Sequence, residues 1–343
     1  MKLQHKTLIA AMLAGLGLMA QAQEVTLKVH HFLGPQSTQH VNMFGAWCDK
    51  LAKESANKLK CQIYPSMQLG GSPPQLYDQA RDGVADVVWT VAGYSAGRFP
   101  KIEVFELPFM MNNAEATSKA YWEFFQTECP DEFKETQVIA LHVHGPGMFH
   151  SATKLIKTPA DLKGMKVRGP TRQVTKMLGS VGATPVGMPL PGIPDALSKG
   201  TIDACVIPWE VVPAVKVHEL TKFHSEFDNT GPALYTTTFV MAMNKPKYES
   251  LAPDLKKVID ANSGLATSAW LGKTQQANDP LGRKPAEERG NTIHMITPEA
   301  RAEFIRLSSA IDEQWVKDMD GRGFDGKKLL ARAKELIAKH GKG

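Results

Sequence analysis

Apolar positions along the chain recur at two alternating spacings, every second residue and every third or fourth. VTLKVHHF (25–32) sets Val25, Leu27 and Val29 against polar neighbours and reads as a strand. In QHVNMFGAWCDKLAKES, residues Val41, Phe44, Cys48 and Leu51 share one face of a helix predicted over 37–54. A strand over 59–64, a helix in PPQLYDQARDG (73–83) and a strand in VADVVWTVA (84–92) follow. Farther on, VIALHVHG (138–145) reads as strand, TRQVTKMLGSVG (171–182) as helix, and LYTTTFVMAMNK (234–245) as a strand that returns the chain to its first half. Residues 248–275, 298–319 and the basic stretch from Asp325 onward read as helices. Such alternation predicts an α/β architecture with helices on both faces of its sheets.

Two stretches, LYDQARDGVADVVW and IPDALSKGTIDACVIPW, share a layout: an amphipathic helix, Gly, two residues, Asp, a β run and Trp. Gly83 and Gly200 are read as the left-handed residues that end each helix. One copy falls in each half of the chain, which at 343 residues exceeds one ordinary core and suggests two lobes. Residues 23–145 with 234–275 are expected to form the first lobe. Residues 146–233 with 276–343, including the C-terminal helices, are expected to form the second. In open α/β sheets ligands bind at the carboxyl ends of strands. That rule sets Trp89, Trp209 and Arg168 on the rims of one cleft.

Residues 1–22 have the make-up of a secretory signal peptide: Lys2 and Lys6, an apolar run from Leu8 to Met19, and Ala20-Gln21-Ala22 before the expected cleavage. The run is shorter than the ~20 residues a membrane span requires. An exported, soluble protein is therefore expected. The net charge is +5, or +3 without Lys2 and Lys6, and it is spread along the sequence. A nucleic-acid surface would need a basic patch, so no nucleic-acid partner is expected.

Cys48 on its helix and Cys61 in LKCQIYP both face the interior. If the chain reverses near Ala56–Asn57, Cys48 lies roughly 12 Å back along the helix and Cys61 roughly 13 Å forward along the strand. The two sulfurs can then meet in a disulfide. Two separately buried thiols are the alternative, and Cys129 and Cys205 are left unassigned.

Arg168 ends the strand in MKVRGP. Its guanidinium either pairs with a nearby acid or is a fixed cation that clamps a ligand carboxylate through two parallel hydrogen bonds. Phe32, Trp89, Tyr94, Phe149, Trp209 and Tyr235 all fall at or just past predicted strand ends. Together with one cation they describe a pocket for an anionic head with an apolar or aromatic body. His150 and His31 are candidates for a further hydrogen bond to the ligand. His142 and His144, two residues apart on one strand, raise a different reading, a secreted metal-dependent hydrolase. No H-x-x-x-H motif or acidic cluster completes such a site. AGYSAGRFP (92–100) is not read as a nucleophile elbow, and no cofactor is expected.

Six segments in this order resemble the solute-binding proteins of the tripartite ATP-independent periplasmic (TRAP) transporters: YPSMQLGG (64–71), ARDGVADVVW (80–89), GRFPKIEVFELPFM (97–110), IKTPADLKGMKVRGP (156–170), LGSVGATPVGMPLPGIPDALSKGTIDA (178–204) and PWEVVPAVKVHEL (208–220). The resemblance implies two α/β lobes joined by crossing strands and a long spanning helix, closing on an organic acid by hinge motion. It implies that Arg168 pairs with the ligand carboxylate. It also implies delivery to membrane permease subunits; a monomer is expected. Many members carry a second arginine where this chain has Gly147, and an asparagine where it has Ile207. Their loss favours a 2-oxo, 2-hydroxy or aromatic monocarboxylate over a four-carbon dicarboxylate.

Overall fold

The computed structural model describes residues 24–342, so the expected signal peptide, residues 1–22, lies outside the described residues. The first sheet holds β1 (Val25–His30), β2 (Leu59–Tyr64), β3 (Val87–Val91), β4 (Thr136–Val143) and β10 (Thr238–Asn244), in the order β2-β1-β3-β10-β4. The second holds β5 (Met148–Ser151), β6 (Lys166–Gly169), β7 (Thr184–Gly187), β8 (Ala204–Ile207), β9 (Phe223–Glu226) and β11 (Thr292–Met295), in the order β11-β9-β5-β8-β6-β7. β1, β2 and β3 run parallel, whereas β10 enters antiparallel between β3 and β4. β5 is the antiparallel strand of the second sheet, between β8 and β9. Each sheet thus takes an inner strand that arrives directly from the other. The two crossings, residues 144–147 and 235–237, lie side by side, with Gly147 N donating to Tyr235 O at 3.1 Å.

The repeated layout is a repeated structure. Gly83 and Gly200 have φ of 77° and 65°. The Asp86 carboxylate accepts from Lys28 N of β1 at 2.8 Å, and Asp203 accepts from Lys166 N of β6 at 2.7 Å. Asp86 N donates back to Lys28 O, and Asp203 N to Lys166 O. In both lobes the aspartate therefore fixes a helix–strand turn to the neighbouring strand.

Helices cover the sheets. The helix Ala114–Glu128 is capped by the Asn113 side chain, which accepts from Ala116 N at 2.8 Å. The helix Gly264–Ala277 packs on it so closely that a Cβ on Gly272 would stand 2.7 Å from Ala114 O. With only Asn278 between them, the helix Asp279–Glu288 continues toward the second lobe and packs on the turn Trp209–Val211. Residues 276–343, expected with the second lobe, divide. The helix Gly326–His340 lays Leu329, Ala333, Leu336 and Ile337 on the first lobe's Ala114–Glu128, while Ala310–Asp320 lies between it and the second lobe's Arg172–Ser180. Cys48 and Cys61 form the expected disulfide, with Cα atoms 5.7 Å apart; Cys129 and Cys205 are free and buried. No helix among the described residues is long and apolar enough to cross a membrane.

Candidate functional site

Between the two sheets lies a cavity lined from the first lobe by Phe32, Gln39, Trp89 and Tyr94, from the second by Arg168, Ile207 and Glu210, and from the crossings by His144, Tyr235 and Thr237. Parallel strands end here because β3, β6 and β8 all point their carboxyl ends at it.

Arg168 is 1% exposed. Nε donates to Met188 O at 2.9 Å and Nη1 to Val206 O at 3.3 Å, while Nη2 has no partner among the described residues. No carboxylate of the described residues pairs with it. Two carbonyls thus aim the fork and leave one edge unused, which is the arrangement of a cation held for an anion. Tyr94 stands beside it. Its oxygen accepts from Leu190 N of the opposite lobe at 2.9 Å, so its own hydrogen is left to donate. Burial raises the Tyr94 hydroxyl above its ordinary value and keeps it protonated.

The walls are aromatic. Trp89 stacks on Phe239 at 4.6 Å and on Phe32 at 5.1 Å between ring centres. Tyr235 faces His144 edge-on at 5.5 Å. His142 and His144 have their nitrogens engaged by the protein. Trp89 Nε1 donates to His142 Nε2 at 2.8 Å, and the Thr237 hydroxyl and Gly145 O hold His144 Nε2 and Nδ1. Burial lowers His142 to about 3 and His144 to about 4, so both stay neutral. The structure gives the hydrolase reading no support. No cluster of three or more candidate metal ligands occurs among the described residues. Residues 93–97 spell G-x-S-x-G. Ser95 nevertheless follows β3 in a short 3-10 turn rather than entering a helix, and its hydroxyl donates to Pro74 O at 3.4 Å.

Of the residues expected in the pocket, Arg168, Trp89, Tyr94 and Tyr235 line the cavity, and Phe149, His150, Trp209 and His31 do not. Phe149 belongs to the second lobe's core against Phe304. His150 lies behind Ile207 in a hydrogen-bonded chain. Asn291 Nδ2 donates to His224 Nε2, His224 Nδ1 then donates to His150 Nδ1 at 2.7 Å, and His150 Nε2 donates to Ile207 O at 3.1 Å. Trp209 turns away from the cavity, its indole N–H on Glu226 at 2.9 Å. His31 accepts from Leu33 N and meets His40 at 3.0 Å.

A second polar group was not foreseen. Glu210 Oε1 accepts from Gln39 Nε2 at 2.7 Å and Oε2 from Gln275 Nε2 at 3.4 Å, and all three residues line the cavity. Burial, and then the charge of Asp279, push the Glu210 carboxyl up to about 8. The lobes also meet at Glu103, whose carboxylate takes Arg172 Nη2 and Gln173 Nε2, both at 2.6 Å.

Residues 29–318 match the family described as bacterial extracellular solute-binding protein, family 7. A TRAP solute-binding protein from Rhodoferax ferrireducens T118, solved with copurified benzoate, is 64% identical with a TM-score of 0.92 over 93% of this chain and 99% of its own. A marine metagenome TRAP solute-binding protein from an unidentified microbe, specific for aromatic acid ligands and solved with 3-hydroxybenzoate, is 48% identical with a TM-score of 0.91 over 93% and 99% of the two chains. An outer membrane transporter protein of Comamonas testosteroni, TsaT, is 26% identical over 96% of this chain and 97% of its own. With two α/β sheets exchanging strands around an arginine-bearing cavity, this chain belongs to bacterial extracellular solute-binding protein family 7, the DctP-like solute-binding proteins of TRAP transporters.

Proposed function

We propose that this protein captures an aromatic monocarboxylate in the periplasm, after removal of residues 1–22, and hands it unchanged to the membrane permease of a TRAP transporter. The observation that carries the ligand class is Arg168 Nη2, a buried guanidinium edge without a partner among the described residues, in a cavity walled by Trp89, Phe32 and Tyr235. In this reading the carboxylate accepts from Arg168 and the Tyr94 hydroxyl, and the ring lies against the aromatic walls. A second carboxylate would be buried without a cation. The benzoate and 3-hydroxybenzoate held by the two similar structures support the same class. Hinge closure would bring Tyr94 to Leu190 and Glu103 to Arg172.

A thermal-shift screen over organic acids tests it. Benzoate and related ring acids should give the largest shifts, 2-oxo and 2-hydroxy monocarboxylates smaller ones, and succinate and malate none. Large shifts with the four-carbon dicarboxylates and none with ring acids would overturn the assignment, as would consumption of the ligand on incubation.

A further inference from the structure

We propose that Gln39, Glu210 and Gln275 form a second recognition point in the cavity, one that reads a hydroxyl on the ligand's ring, so that the preferred solutes are hydroxylated aromatic monocarboxylates. The inference rests on the aromatic-acid reading above and adds to it.

Three separate elements bring these side chains together. Gln39 opens the π-helix Gln39–Gly45 of the first lobe, Glu210 lies just past β8 in the second, and Gln275 sits near the end of Gly264–Ala277. Gln39 and Gln275 are each 1% exposed and Glu210 5%. Both amides spend an N–H on the Glu210 carboxyl, and both amide oxygens, buried, have no partner among the described residues. Two unpaired acceptors beside a carboxyl group call for a donor. Buried acceptors left dry are costly, and a site built this way discriminates against a ligand lacking the donor more strongly than an apolar pocket can.

The group is distinct from the carboxylate clamp. Arg168 is held by the Met188 and Val206 carbonyls, and Glu210 by Gln39, Gln275 and Asp279, with no residue in common. The indole, phenyl and phenol walls lie in the same cavity. A flat acid with its carboxylate on Arg168 can therefore present a ring substituent to the amide oxygens. With its carboxyl neutral, Glu210 has one O–H to give; a phenolic hydroxyl can accept from it and donate to an amide oxygen at once. A carboxylate in that place would meet acceptors.

Calorimetry with benzoate, 3- and 4-hydroxybenzoate and the two corresponding methoxybenzoates tests the proposal. At least one hydroxybenzoate should bind about tenfold or more tighter than benzoate, and its methoxy counterpart, which accepts but cannot donate, should show no gain. In Gln39→Leu and Gln275→Met the hydroxyl-to-benzoate ratio should fall below about threefold, whereas Arg168→Ala should weaken both ligands and keep the ratio. Melting curves of each variant establish that it is folded. Benzoate binding without a hydroxyl preference, or a ratio unmoved by both glutamine variants, overturns this inference and leaves the aromatic-acid reading standing. Failure of every ring acid to bind removes both.

Discussion

The Tyr235 ring occupies the space that any side chain on Gly147 would need: a Cβ built there would overlap the ring edge at Cε1 and Cζ. Tyr235 can reach the cavity only because residue 147 is glycine. Gly147 is also where the resemblance places a second arginine in other members, so one position exchanges a second cation for an aromatic wall. Gly147→Ala should push Tyr235 aside, lower folding stability by about 1–3 kcal/mol, the usual scale of overpacking, and weaken benzoate binding. Calorimetry reads the loss, and unchanged affinity would show that Tyr235 contributes nothing to the wall.

Arg168→Ala should cost about 3 kcal/mol or more of binding, much of it from a carboxylate left buried and unpaired. Arg168→Lys should recover little, because an ammonium cannot keep both the Met188 and Val206 carbonyls and still present a flat edge. Titration of both variants with benzoate checks this. Wild-type affinity in either would reduce Arg168 to a structural residue.

Stability should fall as pH rises from about 6.5 to about 8. Burial lifts Glu210 to about 8 and Glu106, Glu132 and Asp279 to about 7. Up to those values the folded chain keeps protons that the unfolded chain has released, so stability drops with rising pH. The buried histidines act in the opposite sense. His31 and His142, lowered to about 3, and His144 and His224, lowered to about 4, stay neutral in the fold while the unfolded chain takes up protons below 6.5. Stability is then lost as pH falls below 6.5. The two sets oppose each other between 4.5 and 6.5, and above 6.5 the acids act alone. Melting temperature against pH reads the net slope; Glu210→Gln should flatten it between 6.5 and 8, and an unchanged slope would remove Glu210 from the explanation.

Cys48–Cys61 ties the helix Ala46–Glu54 to β2 at the outer end of the first sheet, remote from the cavity lining. Replacing both cysteines with serine should lower unfolding free energy by roughly 2–4 kcal/mol. Benzoate affinity should stay within about twofold, since the lost constraint acts chiefly on the unfolded chain. Denaturant melts and calorimetry on the double variant separate the two effects.

Phe149→Ala provides the opposite control to Arg168. The side chain is fully buried against Phe304 and lines no part of the cavity, so its removal should cost about 3–5 kcal/mol of stability. Affinity of the folded fraction should be unchanged. A selective loss of binding would return Phe149 to the ligand wall.

The alternation of strands and helices and the paired glycine–aspartate turns were legible because they depend on short-range periodicity and turn chemistry. Arg168, Trp89 and Tyr94 were legible because strand ends in such sheets converge. Phe149, His150 and Trp209 lie near strand ends too. All of β5 is buried, however, and periodicity cannot say which face of a doubly covered strand meets the cleft.

Gln39 was hidden by a local change of winding. Residues 39–45 form a π-helix, which turns Val41 outward to 53% exposure and buries Gln39 on the side of Phe44. A period of 3.6 had put Val41 inside. The helix expected over 248–275 breaks at Pro253 and again before Gly264, whose φ is 86°. Glu210 and Gln275 carry no signal in isolation. Their meaning comes from residues far away in sequence.

The position of β10 has a temporal consequence. A chain that emerges from its N-terminus holds β3 and β4 long before it holds the strand that lies between them. Until residue 244 has been made, two strand edges that the finished protein hides stay open, and the first lobe cannot settle into its final pairing. Closing that gap requires contacts between distant parts of the chain, which form slowly. A polypeptide that cannot complete its first lobe early remains threadable while it is being synthesised, and that is the condition in which a protein destined for the far side of a membrane has to wait.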